Sequence, residues 1–357
     1  MKKLLVKNIG LLATPEGKSA HRGEEQGKIK FLKDAWVLIE DGIIASVGTG
    51  AVPAVEGAEV VDAEGHLVTP GLVDAHTHLI FGGWRQNELG LKLHGASYLD
   101  IQNAGGGIQS TTNATRQASE QELAAKASKA LDEMMGFGTT TVEAKSGYGL
   151  ATEHELKALE VIKDLNDHHR MDLVFMGAHL VPAEYKSNRE EYVRLVCEEM
   201  MPKVKEQGIA KFCDVFCEAD TFTVEESRQV LEAGLKYGLR PKIHADEIEA
   251  IGGSQLAGEI GAISAEHLIV CPPEGIASMA KGGVIACLLP ATSFNLGAVF
   301  APARDMVTAG VPVAMATDFN PGSCPCLNMQ FVINLGCLKY KLTPEEVLTA
   351  VTLNGAA

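Results

Sequence analysis

Hydrophobic and polar positions follow two different patterns along this chain. Up to residue 68 the apolar residues form short β-like runs: Leu4-Leu5-Val6, Trp36 to Ile39, Ile43 to Val47 and Glu59 to Asp62. Asp41-Gly42 stands between two of them as a hairpin signal. The stretch near residues 14–30, rich in Gly, Lys and Glu, reads as a mobile loop. From Thr69 onward, apolar runs end near His78, Lys145, His179, Glu218, His244, His267, Leu289 and Asp318, with amphipathic segments between most of them. Ser119-x-x-Glu122, Thr152-x-x-Glu155 and Thr223-x-x-Glu226 fit the capping box, and Thr343-Pro344-Glu345-Glu346 adds proline at the first helical position. Eight strands alternating with helices predict an α/β fold, a closed (β/α)8 TIM barrel over residues 69–357. A small β-sandwich-like domain is expected over residues 1–68. The interval 79–138 reads as an insertion, with Gly105-Gly106-Gly107 as a loop over the barrel mouth.

Composition narrows the function without choosing it. The 357 residues are 46% hydrophobic and 22% charged, which suits one large core with a smaller appendage. A net charge of −15 argues against nucleic acid or an anionic membrane as the main partner. The same charge means that an anionic substrate needs a local pocket of cationic groups. No stretch of 18 apolar residues occurs, and the N-terminus reads as a strand rather than a signal peptide, so a cytoplasmic protein is expected. The eight cysteines form no disulfide or zinc-ribbon framework. Cys213, Cys217, Cys271 and Cys287 lie in or beside apolar runs and read as buried thiols.

The candidate chemistry lies at the predicted strand ends. Of eleven histidines, His76, His78, His179, His244 and His267 stand there, and in this fold those ends form the rim that carries the active site. The other six, His21, His66, His94, His154, His168 and His169, fall on loops and helices and receive no role. In Gly71-Leu-Val-Asp-Ala-His-Thr-His78, side chains two apart face the same way, so His76 and His78 can grip one cation from one strand. His244 is the best third ligand. Asp318, after Val313 to Ala316, reads either as a helix cap or as a buried carboxylate on a cation. Three imidazoles and one carboxylate leave a coordination position open for water on zinc or iron, as hydrolysis requires. Glu247 is the candidate proton shuttle with His267 as its helper, although Glu247 could instead only start the following helix.

With the HxH pair, the single histidine, the further histidine and the terminal aspartate in that order, the chain resembles the amidohydrolase superfamily. It is similar within it to the imidazolonepropionase family of histidine degradation. The resemblance rests on Pro70 to His78, Phe81-Gly-Gly-Trp-Arg85, Lys145-Ser-Gly-Tyr-Gly-Leu150, Gly177-Ala-His179, His244-Ala-Asp-Glu247, Ala265-Glu-His-Leu268 and Thr317 to Ser323. It implies metal ligands at His76, His78, His244 and Asp318. It implies substrate contacts at Arg85, Tyr148, His179, Glu247, Asn320, Gly322 and Ser323. It implies hydrolysis of the ring amide of 4-imidazolone-5-propanoate to N-formimidoyl-L-glutamate. Arg85 can supply a bidentate clamp for the propionate, with Tyr148 and His179 as further donors, and Asn320 can read the ring nitrogens.

The predicted fourth strand ends Phe216-Cys-Glu-Ala-Asp220 without a lysine to bridge two cations, so one Zn²⁺ or Fe³⁺ per subunit is expected. Members of that family run on past the segment matching Leu353 to Ala357, which would leave the small β-domain incomplete and its sheet edge unpaired. Oligomeric state is not legible, with a homodimer the default expectation. Two other readings stand beside the hydrolase: a mononuclear deaminase of a purine- or pyrimidine-like ring, and a barrel kept as a non-catalytic scaffold.

Overall fold

The computed structural model describes residues 2–96, 100–101, 105–166 and 171–357. His168 and His169 lie outside the described residues.

A five-stranded sheet forms first, with β1 (Lys3–Thr14) at its centre. It pairs antiparallel with β2 (Lys30–Glu40) and parallel with β4 (Glu59–Asp62) and β5 (Leu67–Val68), while β3 (Ile43–Thr49) pairs antiparallel with β2. The β2–β3 hairpin turns on Asp41 and Gly42, with φ of 49° and 82°. Both signs suit the type I′ geometry that matches strand twist. Ile9, Leu12, Ala35 and Val37 form a small core.

Eight parallel strands follow: β6 (Leu72–Thr77), β7 (Thr139–Lys145), β8 (Met171–Ala178), β9 (Phe212–Cys217), β10 (Arg240–Ala245), β11 (Ser264–His267), β12 (Ile285–Leu288) and β13 (Val313–Met315). They pair in sequence order, the arrangement of a (β/α)8 barrel. The ends meet just past β13, where the Asp318 N–H donates to the His76 carbonyl at 3.0 Å and the His78 N–H donates to the Phe319 carbonyl at 2.8 Å. Asp74, buried on β6, fastens the same seam by accepting from the Thr317 N–H at 2.9 Å and the Thr317 hydroxyl at 2.6 Å.

Helices cover the outside. Glu120–Gly136 is representative, burying Leu123, Ala127, Ala130, Leu131 and Met134 along one stripe. Three of the expected capping boxes form, at Ser119, Thr223 and Thr343. The fourth does not. Ala151 occupies the N-cap of Thr152–Leu165, and Glu155 turns inward to the loop above β7. Gly106 and Gly107 also depart from expectation, because they open the helix Gly107–Gln117. The eight cysteines are free thiols.

The segment expected to be a mobile loop is instead anchored. Residues 23–27 form a 3-10 turn whose Gln26 is fully buried against β13. Gln26 accepts from the Val313 N–H at 3.0 Å and donates to the carbonyls of Val313 and Glu346 at 3.2 and 3.3 Å. Asn354 donates to the Val313 and His21 carbonyls, both at 2.9 Å. A hydrophilic composition concealed this because two buried amide side chains, Gln26 and Asn354, do the anchoring. Gln26→Ala takes the side-chain acceptor from the Val313 N–H, while the Val313 carbonyl keeps Asn354, and is expected to cost about 1–3 kcal/mol. The measurement is the urea midpoint, and an unchanged midpoint would show that the segment contributes nothing to stability.

Candidate active site

The strand ends bring the candidate residues to one rim. His76 near the end of β6 and His78 just past it are buried and two residues apart in extended backbone, so both rings enter the barrel mouth. His244, near the end of β10, faces them, with its ring centre 4.6 Å from that of His76 and its Nε2 3.3 Å from His78 Nε2. Asp318 follows β13 in the left-handed region, with φ of 56°, which turns its carboxylate inward instead of onto a helix. The next helix, Met329–Leu338, is capped by Asn328. Thr292 donates its hydroxyl to Asp318 Oδ2 at 2.6 Å. Asp318 Oδ1 is left 3.5 Å from His76 Nε2 and 3.6 Å from His78 Nε2.

Both ring nitrogens of His76, Nδ1 of His78 and Oδ1 of Asp318 are buried without a hydrogen-bond partner among the described residues. Burial and neighbouring cationic groups push His76 and His78 well below the usual imidazole range, so both are neutral. Burial also pushes the Asp318 carboxyl up to about 6. Neutral imidazoles and an unpaired carboxylate oxygen, all within a few ångströms, form a donor set that fits a transition-metal cation.

Behind His244 lies a network that the histidine pattern does not reveal. Its Nδ1 is 3.0 Å from Asp214 Oδ1 on β9. The neighbouring Lys145 and His244 hold Asp214 well below the usual carboxylate range against the opposing effect of burial. An ionised carboxylate only accepts, so Nδ1 carries the proton and Nε2 is presented to the site. Asp214 Oδ2 accepts from Lys145 Nζ at 2.7 Å, and Lys145 also meets Glu143 at 2.6 Å. Lys242 joins Glu143 at 2.6 Å to Glu266 at 3.2 Å. A signal did exist in the sequence: Glu143/Lys145 and Lys242/His244 share the two-residue spacing of His76/His78 within predicted strands.

Glu247 lies in the turn after β10, before the helix Gly253–Ile260 begins, so it does not start that helix. Its carboxylate is 3.6 Å from His267 Nε2. Burial, with Asp318 and Glu218 nearby, pushes the Glu247 carboxyl up to about 8. His267 ends β11 with φ of 67° and is held well below the usual imidazole range by burial first and His244 second.

The remaining predicted residues surround this centre. His179 stacks on His78 with ring centres 4.9 Å apart, and Tyr148 lies 5.1 Å from His179. His179 Nδ1 is 2.9 Å from the Gly147 carbonyl, and burial lowers its pKa to about 3. Arg85 is buried, and its Nε and Nη1 have no hydrogen-bond partner among the described residues. Gly322 packs directly against it, since a Cβ there would stand 1.7 Å from Arg85 Nη2. Asn320 behaves differently from its expected part. Its amide donates to the Asp318 carbonyl and the Ser323 hydroxyl and accepts from the N–H groups of Gly322 and Ser323, so it shapes its own turn. Two buried glutamates that were not predicted at the site do similar work. Glu155 accepts from the N–H groups of Gly147, Gly149 and Leu150, and Glu218 from those of Glu247, Ile248 and Glu249. A separate cavity of about 540 Å³ opens at the opposite end of the strands, where Glu143 and Lys242 reach it.

Comparison with known proteins agrees with this geometry. The Amidohydrolase family profile matches residues 67–357. The imidazolonepropionase of Alkaliphilus metalliredigens (strain QYMF) is 53% identical over 365 residues, covering 100% of this chain and 86% of that protein. That of Geobacillus sp. (strain WCH70) is 50% identical over 366 residues, with the same coverage. Among solved structures, a triazine hydrolase from Arthobacter aurescens has a TM-score of 0.73 at 17% identity, covering 100% of this chain and 82% of its own. Guanine deaminase from C. acetobutylicum has a TM-score of 0.69 at 17% identity, with 99% and 86% covered. At that identity the structural likeness speaks for the fold alone, whereas the sequence relatives speak for the family. The chain belongs to the Amidohydrolase family and, within it, to the imidazolonepropionase family.

Proposed function

We propose that this enzyme hydrolyses the ring amide of 4-imidazolone-5-propanoate, giving N-formimidoyl-L-glutamate, with one Zn²⁺ or Fe³⁺ per chain. The observation that carries the reading is the buried, unpartnered donor set of His76, His78 and Asp318 beside His244, with Glu247 within reach of the same mouth. We assign the cation to His76, His78, His244 and Asp318. Bound there, it supplies Lewis-acid activation of water and of the amide carbonyl.

The chain's own groups supply the rest. Arg85, whose Nε lies 3.6 Å from Glu88 Oε2 without a hydrogen bond, offers its guanidinium to the substrate carboxylate, the local cationic contact that an acidic protein needs. Tyr148 and His179 flank the ring. His179 is neutral, so it approaches the substrate as a dipole rather than a charge. Asn320 holds the turn that carries Gly322 and Ser323 against Arg85. Glu247 removes a proton from the attacking water as its oxygen adds to the amide carbon. When the carbon–nitrogen bond breaks, Glu247 returns that proton to the ring nitrogen, which leaves as the formimidoyl nitrogen. The amide carbon becomes the new carboxylate. His267, 3.6 Å from Glu247, orients it between the two transfers. A deaminase of a neutral ring would give Arg85 no anion beyond Glu88.

The pivotal experiment follows substrate loss by ultraviolet absorbance in metal-loaded protein. Glu247→Gln is expected to lower kcat by about two orders of magnitude while keeping its metal, and a variant as fast as its parent would remove Glu247 from the mechanism. Elemental analysis is expected to find one transition-metal ion per chain in the parent and a large loss in His76→Ala; two ions would refute the single-site assignment. Gly322→Ala must displace Arg85, so KM is expected to rise at least tenfold, about 1.4 kcal/mol of substrate binding. An unchanged KM would separate Arg85 from the substrate carboxylate.

A further inference from the structure

Glu218 stands outside the reacting centre, yet its carboxylate is tied to the turn that carries Glu247. It follows β9 and is 1% exposed. Its backbone is fixed on both sides: its N–H donates to the Phe222 carbonyl at 3.2 Å, and its carbonyl accepts from the Thr221 N–H at 3.1 Å. From this base its two oxygens accept N–H groups from Ala219 at 2.9 Å, Glu247 at 3.0 Å, Ile248 at 2.9 Å and Glu249 at 2.9 Å. Three of these donors are successive residues of one turn, and bonds to an ionised acceptor are stronger than neutral ones.

Besides the Glu218 carboxylate, that turn is held at its ends, by the Val270 N–H on the Asp246 carbonyl at 2.9 Å and the Ile251 N–H on the Glu249 carbonyl at 3.0 Å. Residues 248–250 are exposed, and Ile248 is 58% exposed, so no packing fixes them from outside. The turn also begins under strain, with Asp246 in the left-handed region at φ of 52°. The Glu218 carboxylate therefore sets where the backbone of residue 247 sits, and the Glu247 side chain starts from that point.

We propose that Glu218 is a positioning residue for the reaction: its buried carboxylate holds the 247–249 turn so that the Glu247 carboxylate faces His267 and the reacting water. The proposal rests on Glu247 being the proton carrier. Gln at 218 preserves the shape, but its NH₂ group meets amide N–H donors, so part of the clasp is lost. Asp preserves the charge and is one methylene too short to reach the whole turn.

The test compares metal-loaded parent, Glu218→Gln, Glu218→Asp, Glu247→Gln and the Glu218→Gln/Glu247→Gln double variant. We expect Glu218→Gln to lower kcat about tenfold to a hundredfold, with KM within twofold and metal content unchanged, and Glu218→Asp to fall between it and the parent. The double variant is expected to be no slower than Glu247→Gln alone, because a residue that acts through Glu247 has nothing left to position. Hydrogen exchange at the amides of 247–249 is expected to quicken in Glu218→Gln, with or without metal. If the two losses multiply in the double variant, or if kcat in both Glu218 variants equals the parent's, the proposal is overturned. A Glu247→Gln variant with parental kcat overturns instead the reading on which it stands.

Discussion

The site depends on a column of charges buried in the barrel core: Lys242, Glu143, Lys145 and Asp214, ending on His244. Removing water from so many ions is costly, and their mutual attraction offsets that cost only where every partner is in place. Loss of one partner leaves the next uncompensated, a penalty of about 3–5 kcal/mol for a buried pair. The column reaches from the cavity at the far end of the strands to the candidate metal centre. It fixes which nitrogen of His244 is free, and it fills the space beneath the site with ammonium groups. Asp214, His244 and Glu266 lie close enough to suggest a cation of their own. Lys145 on Asp214 and Lys242 on Glu266 already supply that positive charge.

A second constraint links folding to chemistry. The barrel closes through backbone bonds of His76, His78, Asp318 and Phe319, so the seam and the donor set share residues. Register at this seam is therefore also ligand geometry: slippage by one residue would turn His76 and His78 away from the mouth. The strained backbone of the barrel gathers at the same rim. Asp246, His267, Leu268 and Asp318 all have positive φ at or just beyond their strand ends. Such conformations persist only where the surroundings enforce them. Here Asp74 clamps Thr317 beside Asp318, and Glu218 clamps the turn after Asp246.

Much of this was legible in the sequence, because strand ends in this fold are both structural landmarks and functional positions. The apolar runs located every barrel strand, and the histidines at their ends marked the rim. The buried acids were harder to read. A glutamate three residues after a threonine signals a cap whether or not its side chain turns inward, so Glu155 was expected at a helix start and instead holds the loop bearing Tyr148. Glu218 sits next to Cys217 at the end of an apolar run, and nothing nearby in sequence shows that its partners lie beyond β10. Glu143/Lys145 and Lys242/His244 could have been noticed from their two-residue spacing, but the pairing of Lys145 with Asp214 spans 69 positions. Gln26 illustrates the same limit: a polar residue in a polar stretch gives no sign that its amide will be enclosed.

The three rim loops share a feature that bears on how the reaction is stabilised. The amides of Gly147, Gly149 and Leu150 point to Glu155, those of Glu247 to Glu249 to Glu218, and those of Gly322 and Ser323 to Asn320. Many hydrolases leave such N–H groups aimed at the oxygen where negative charge develops. Here they are already occupied by the chain's own acceptors, which makes the loops rigid and removes them as donors. Positive potential at the mouth must then come from side chains and from the cation that the histidines and Asp318 can hold. The loops act as fixed mounts for Tyr148, Glu247 and the Gly322–Arg85 contact. Precision in this site comes from buried carboxylate and amide side chains bonded mainly to loop backbone, which is why they carry weight without touching the substrate.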